Sequence, residues 1–225
     1  MTTQPVLMRA PSQGVWRLGW AHAPLKYNQV EPETFDGSSA GRFSLFAYET
    51  LYCASSPEGC YAEALALYRV SPRMRALMQD APTNNDQMAL GAIPSSWRDL
   101  RILVRLTASA HAQFLDLEAD QTRTALTEEL GDELEAFGVQ GLLTDKDIQG
   151  KDRTVTRQIA AWAVAQRNAA GHQLMQGITY RSSYGGHRCW AILRDAELEE
   201  QERRPIKQED VALREVADEY GLTVW

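Results

Sequence analysis

Two periodicities divide the chain. Bulky residues alternate with small or polar ones through Val15-Trp16-Arg17-Leu18-Gly19-Trp20, the period of a strand. Short apolar stretches of strand length follow at Thr50–Ala54, Leu100–Leu106 (broken by Arg101 and Arg105), Phe114–Leu117, Gly177–Ser182 and Arg188–Arg194. The last two are joined by Ser183-Tyr184-Gly185-Gly186-His187, so they form a hairpin-like pair in which Ile178, Tyr180 and Ser182 share one face. Helical spacing is clearest over Thr154–Ala170, where Val155, Ile159, Trp162, Ala163 and Gln166 line one side and Gly171 supplies the stop. Pro57–Arg69 and Gln208–Tyr220 also read as helices, 115–137 as one or two amphipathic helices punctuated by Gly131 and Gly138, and Arg73–Gln79 as a short helical piece. Leu222–Trp225 is expected to close the chain as an edge strand. The remainder reads as connection: a loose lead-in over 1–14, a loop with room for one helical turn over 21–40, irregular chain over 71–96, a charged loop over 144–153 and a solvated excursion over 196–207.

Short strands mixed with helices, without a regular βαβ alternation, predict the α+β class. No glycine-rich dinucleotide fingerprint follows a strand, and neither a P-loop nor a G-x-S-x-G nucleophile elbow occurs.

The helix after the second strand carries the most informative residue. Ser55-Ser56-Pro57-Glu58 is a helix start, with a hydroxyl cap, proline in the first turn and an acid near the positive end of the dipole. Cys60, Ala64 and Leu67 are spaced as a buried apolar stripe, and Glu63 falls on the same stripe among uncharged neighbours. Burying an unpaired carboxylate costs several kcal/mol, roughly. Glu63 therefore requires an arginine, a hydrogen-bond network or a cationic ligand, unless the helix edge is more exposed than its pattern indicates.

Composition narrows the classes. The 225 residues are 44% hydrophobic, which suits one globular domain spanning 1–225. A net charge of −7 argues against a general nucleic-acid or anionic-membrane binder, and an anionic small molecule would need a local arginine cluster. No apolar run is long enough for a membrane span, and Met1-Thr-Thr-Gln-Pro lacks the regions of a signal peptide. Three cysteines, Cys53, Cys60 and Cys189, sit in apolar segments and read as reduced core thiols of a cytoplasmic protein; no ligand spacing points to a metal.

Four segments resemble the RES family, named for an arginine, a glutamate and a serine. They are Trp16-Arg17-Leu18, Gly41-Arg42-Phe43, Leu51-Tyr52-Cys53-Ala54 followed by Ala62-Glu63-Ala64-Leu65, and Gly177-Ile178-Thr179-Tyr180-Arg181-Ser182 followed by the Trp190 strand. Together they span 15–194. One departure is Ser44, where many members carry asparagine. The resemblance implies an ADP-ribosyltransferase-like fold, with a split, curved β core surrounded by helices and a cleft for NAD. It also implies a toxin that degrades NAD by phosphorolysis or hydrolysis and is neutralised by an Xre-type antitoxin. Some relatives attach ADP-ribose to protein instead, and a non-catalytic module that binds ADP-ribose or an antitoxin tail is a further alternative. NAD would be the substrate and inorganic phosphate a co-substrate, with no metal, and a homodimer is compatible with all of these.

On that resemblance each residue acquires a role beside its ordinary one. Glu63 would stabilise the oxocarbenium ion formed as neutral nicotinamide leaves. Arg42 would anchor the pyrophosphate or an incoming phosphate, or else simply pair with Glu63. Tyr52 would pack a nicotinamide or ribose face, or is a core tyrosine with a satisfied hydroxyl. Ser182, with Ser183 as substitute, would bond a ribose or phosphate oxygen, or is a turn former. Arg17 would be a second phosphate contact or a surface residue. Tyr180 shares the Ser182 face. His187 reads as a solvated loop histidine.

Overall fold

The computed structural model of the chain describes residues 3–28, 30, 41–46, 48–77, 91–151 and 153–225. Its strands are β1 (Leu7–Met8), β2 (Val15–Trp20), β3 (Thr50–Ala54), β4 (Ala92–Ile93), β5 (Arg101–Ala108), β6 (Phe114–Asp116), β7 (Gly177–Arg181), β8 (Arg188–Leu193), β9 (Leu198–Pro205) and β10 (Thr223–Val224). Its helices are α1 (Pro57–Leu65), α2 (Pro72–Leu77), α3 (Ser95–Asp99), α4 (Asp120–Ala136), α5 (Asp145–Gln149), α6 (Thr154–Ala165) and α7 (Val211–Tyr220).

Eight strands form one curled sheet in the order β1-β6-β7-β8-β3-β2-β5-β9, and helices surround it, so the α+β expectation holds. Among the described residues only β6 and β7 run parallel within it, and β4 pairs with β10 in a separate parallel ribbon. Period-two alternation distributes the side chains over two cores. On β8, Cys189 and Ala191 join the larger core, which also holds α1, α4, α6 and α7, while Trp190 and Ile192 join the smaller one on the other side. On β3, Ala54 belongs to the larger core, and Leu51 and Cys53 to the smaller. Among the described residues no helix is long and apolar enough to cross a membrane.

Several expected boundaries shift for identifiable reasons. The solvated excursion over 196–207 is in fact the edge strand β9, paired antiparallel with β5. Main-chain hydrogen bonds hold it, so it needs no apolar alternation, and its charges (Arg105–Glu202 at 3.2 Å across the pair) suit an exposed edge. The lead-in is pinned by β1, with Leu7 opposite Leu115 and Met8 opposite Phe114. The closing strand pairs with β4 rather than with the main sheet.

Helix α6 ends at Ala165, short of Ala170. The Asn168 side chain accepts from the N–H groups of Ala170 and His172, a local turn that competes with helix continuation. Within the charged loop, α5 forms because Thr144 and Asp147 make a reciprocal capping box. Residues 31–40 and 78–90 of the two irregular connections lie outside the described residues.

Candidate active site

The cleft is built where α1 leaves the sheet. The Ser56 hydroxyl accepts from the Gly59 N–H at 3.3 Å and caps α1, and the preceding Ser55 hydroxyl accepts from the Trp190 indole at 3.0 Å. Gly59 is required by close approach: a Cβ there would lie 2.9 Å from the Ala54 Cβ and 3.0 Å from the His187 Cβ. His187 is thus half-buried against α1 rather than a solvated tip residue. This contact brings the β7–β8 loop onto α1.

Glu63 lies differently from the pattern's expectation. Gly59–Ala62 and Leu65 are buried, because α1 packs on the sheet on one side and on α7 on another, but Glu63 is exposed and Leu67 is 85% exposed. The Cys60–Ala64–Leu67 stripe is therefore not a buried face, and Glu63 opens into a cleft. What meets it is a hydroxyl: Ser182 Oγ donates to Glu63 Oε1 at 2.5 Å. The Tyr184 N–H donates to that same Oγ at 2.9 Å, and the Ser182 N–H donates to the His187 carbonyl at 2.8 Å, so a tight turn fixes the serine. Ser182 is 3% exposed, while Ser183 is exposed and makes no such contact.

Arg42 does not pair with Glu63. Its Nη1 donates to the carbonyls of Ile148 (2.5 Å) and Gly150 (3.2 Å), at the end of α5. The loop carrying it is held by Tyr52, whose hydroxyl accepts from the Phe43 N–H at 2.8 Å and bonds the Ser44 hydroxyl at 2.9 Å. Ser44, at the position of the family's asparagine, is fully buried in that contact. Gly41 is required because a Cβ would fall 2.2 Å from the Tyr52 ring. Burial pushes the Tyr52 hydroxyl up to about 12, with the Ser44 and Phe43 bonds pulling the other way. Tyr52 therefore has the satisfied hydroxyl of its ordinary reading, and it lines the cleft as well. Tyr52→Phe is expected to cost about 1–3 kcal/mol in denaturant unfolding, since the Phe43 N–H loses its acceptor. An unchanged midpoint would show that the hydroxyl does not hold the loop.

Arg17 donates from Nη1 to the Tyr52 carbonyl at 2.9 Å, and its buried Nε has no hydrogen-bond partner among the described residues. Tyr180 is 6% exposed, with its ring centroid 4.9 Å from that of Phe43. Burial, then the neighbouring Cys189 and the Glu63 charge, raise its hydroxyl well above the ordinary tyrosine range.

These side chains share one cleft of about 340 Å³, within the usual span of small-molecule sites. Arg17, Arg42, Tyr52, Glu63 and Tyr180 line it, with Ser182 behind the carboxylate. Sequence reasoning missed Arg153 and Tyr184, which also line it. Only the topology brings Arg153 there; in the sequence it is one more cation of a charged loop. Cys53, Cys60 and Cys189 are free, buried and part of the same wall. Burial pushes Cys53 and Cys60 up to about 12, so they stand as neutral thiols near pH 7. Among the described residues no His, Cys, Asp and Glu cluster is fit to hold a metal.

The arrangement places one carboxylate, fixed by a serine, in a cavity with three guanidinium groups. It suits a ligand that carries an anionic group at one end and develops positive charge at the other. The RES domain family model matches residues 14–214. No curated protein matches the chain. Among solved structures, a chain in the crystal structure of the M. tuberculosis MbcT–MbcA toxin–antitoxin complex superposes with a TM-score of 0.50 at 16% identity, covering 96% of this chain and 92% of that one. At that identity the likeness speaks for the fold.

Proposed function

This chain belongs to the RES domain family, and on that premise we propose that it is a toxin-type enzyme that cleaves the nicotinamide–ribose bond of NAD. The observation that carries the proposal is the fixed Glu63–Ser182 pair inside an arginine-lined cleft of a net acidic protein.

The chemistry fits one carboxylate. The bond from the ribose anomeric carbon to the pyridinium nitrogen breaks with its electron pair going to nitrogen, and nicotinamide leaves neutral. Positive charge develops on the ribose, where Glu63 opposes it. Ser182 holds the carboxylate in one orientation, so little reorganisation is needed as the charge appears. The arginines bind the diphosphate and, in phosphorolysis, the phosphate whose oxygen adds to the anomeric carbon to give ADP-ribose 1″-phosphate. Consumption of NAD would make the protein toxic in the cytoplasm, and an Xre-type antitoxin is the proposed partner. The structural neighbour belongs to a toxin–antitoxin complex, in keeping with that assignment.

The test is a product assay on NAD with and without inorganic phosphate. Nicotinamide release with phosphate-dependent ADP-ribose 1″-phosphate is the expected result. Free ADP-ribose in both buffers would assign hydrolysis, and label retained on protein would assign transfer. Binding of ADP-ribose with no nicotinamide release in either buffer would reduce the site to a binding module and contradict the enzyme.

A further inference from the structure

We propose that Arg153 is a substrate-binding residue which, with Arg42, forms a two-guanidinium clamp for the diphosphate of a dinucleotide and so sets the preference for NAD over mononucleotides. The inference rests on the NAD reading of the same cleft, and it adds a residue outside the four segments that carry the family likeness.

One buried hydroxyl ties the two arginines together. Thr156, which is fully buried, places Oγ1 2.6 Å from the Arg42 carbonyl and 3.0 Å from the Arg153 carbonyl. The Arg42 side chain in turn grips the end of α5 through the Ile148 and Gly150 carbonyls. The two backbones, 111 positions apart, are therefore held side by side, and both side chains line the cleft that contains Glu63.

This placement of Arg153 is not explained by stability. It occupies the N-cap of α6 without a side-chain capping bond, at the positive end of the helix dipole, where a cation is unfavourable. Burial and then the Arg42 charge both pull its pKa down, so the folded protein disfavours the charge it carries. No carboxylate among the described residues forms an ion pair with it. Two cations in one cleft, neither ion-paired with a carboxylate among the described residues, are complementary to a ligand with two linked anionic groups, and the planar guanidinium suits phosphate oxygens. A mononucleotide offers only one such group.

The test compares wild type with Arg153→Ala, Arg153→Gln and Arg153→Lys in two assays. In the first, steady-state cleavage is measured with NAD and with nicotinamide mononucleotide. In the second, ADP-ribose binding is measured by calorimetry without turnover. Alanine and glutamine are expected to raise the KM for NAD and the Kd for ADP-ribose about 10- to 100-fold. They should leave kcat within a few-fold and shrink the preference for NAD by a similar factor, with lysine recovering part of the loss. Melting temperatures near wild type separate this from misfolding, and if alanine fails to fold the glutamine variant decides. Unchanged KM and Kd would overturn the inference while leaving the enzyme intact. If the wild-type protein binds ADP-ribose but does not cleave NAD, the enzymatic reading fails and the Kd values alone decide the clamp. A wild-type protein that binds no ADP-ribose overturns both.

Discussion

Replacing Glu63 by glutamine is expected to slow nicotinamide release by about a thousandfold while leaving the fold unchanged. The amide has nearly the same shape and still offers an oxygen to the Ser182 hydroxyl, which approaches Oε1 at 2.5 Å. What it lacks is the negative charge that opposes the oxocarbenium ion, and loss of one preorganised electrostatic group costs about 10²–10³ in kcat. Glu63 is exposed on α1 and makes no ion pair with Arg42, so its removal should move stability by no more than ~0.5 kcal/mol. The split between activity and stability is the informative outcome. A purely structural acid would give the opposite result, with a lower melting temperature and unchanged turnover. Full activity in Glu63→Gln would remove the carboxylate from the chemistry.

Trp190→Ala is expected to lower unfolding free energy by about 3–5 kcal/mol. Trp190 is completely buried on β8, its ring meets Phe114 edge-on at 5.2 Å, and its indole N–H donates to the Ser55 hydroxyl at 3.0 Å. Truncation opens a large cavity in the smaller core, and Ser55 loses its donor next to the α1 cap. Because Ser55 precedes the helix that carries Glu63, activity should fall together with stability. Trp190→Phe, which restores part of the ring volume without the donor, should recover much of the packing loss. Denaturant unfolding gives the comparison. A change under ~1 kcal/mol on truncation to alanine would mean that this core relaxes around the gap far more than close packing allows.

Much of the sheet was readable because its inner strands are short, largely buried apolar stretches of strand length. β2 falls on the segment that alternates and β3 on a short apolar stretch, and the start of α1 follows from Ser56, Pro57 and Glu58. β9 was hidden, since an edge strand of Glu, Gln and Arg has no apolar face to reveal it. The exposure of Glu63 was hidden for a related reason: helical periodicity finds the buried side of a helix packed on one neighbour, whereas α1 touches both the sheet and α7 and leaves a narrow opening.

The meeting of Glu63 with Ser182, 119 positions apart, was accessible only through the family likeness. It depends on β3 and β8 pairing in the register that sets Ala54 beside Cys189, so that the β7–β8 turn lands on the first helix. Arg153 had no signal at all, because the hydroxyl that positions it, Thr156, lies in a helix whose pattern reports only its own buried side.

The most direct measurement is a crystal structure of the Glu63→Gln protein with intact NAD, a variant expected to bind the dinucleotide without consuming it. The ribose anomeric carbon should lie about 3–3.5 Å from the residue 63 side chain, the separation of a reactive arrangement, with the diphosphate on the guanidinium groups of Arg42 and Arg153. NAD bound on another surface, or in this cleft with the nicotinamide ribose turned away from residue 63, would contradict the assignment of this cleft as the site of cleavage.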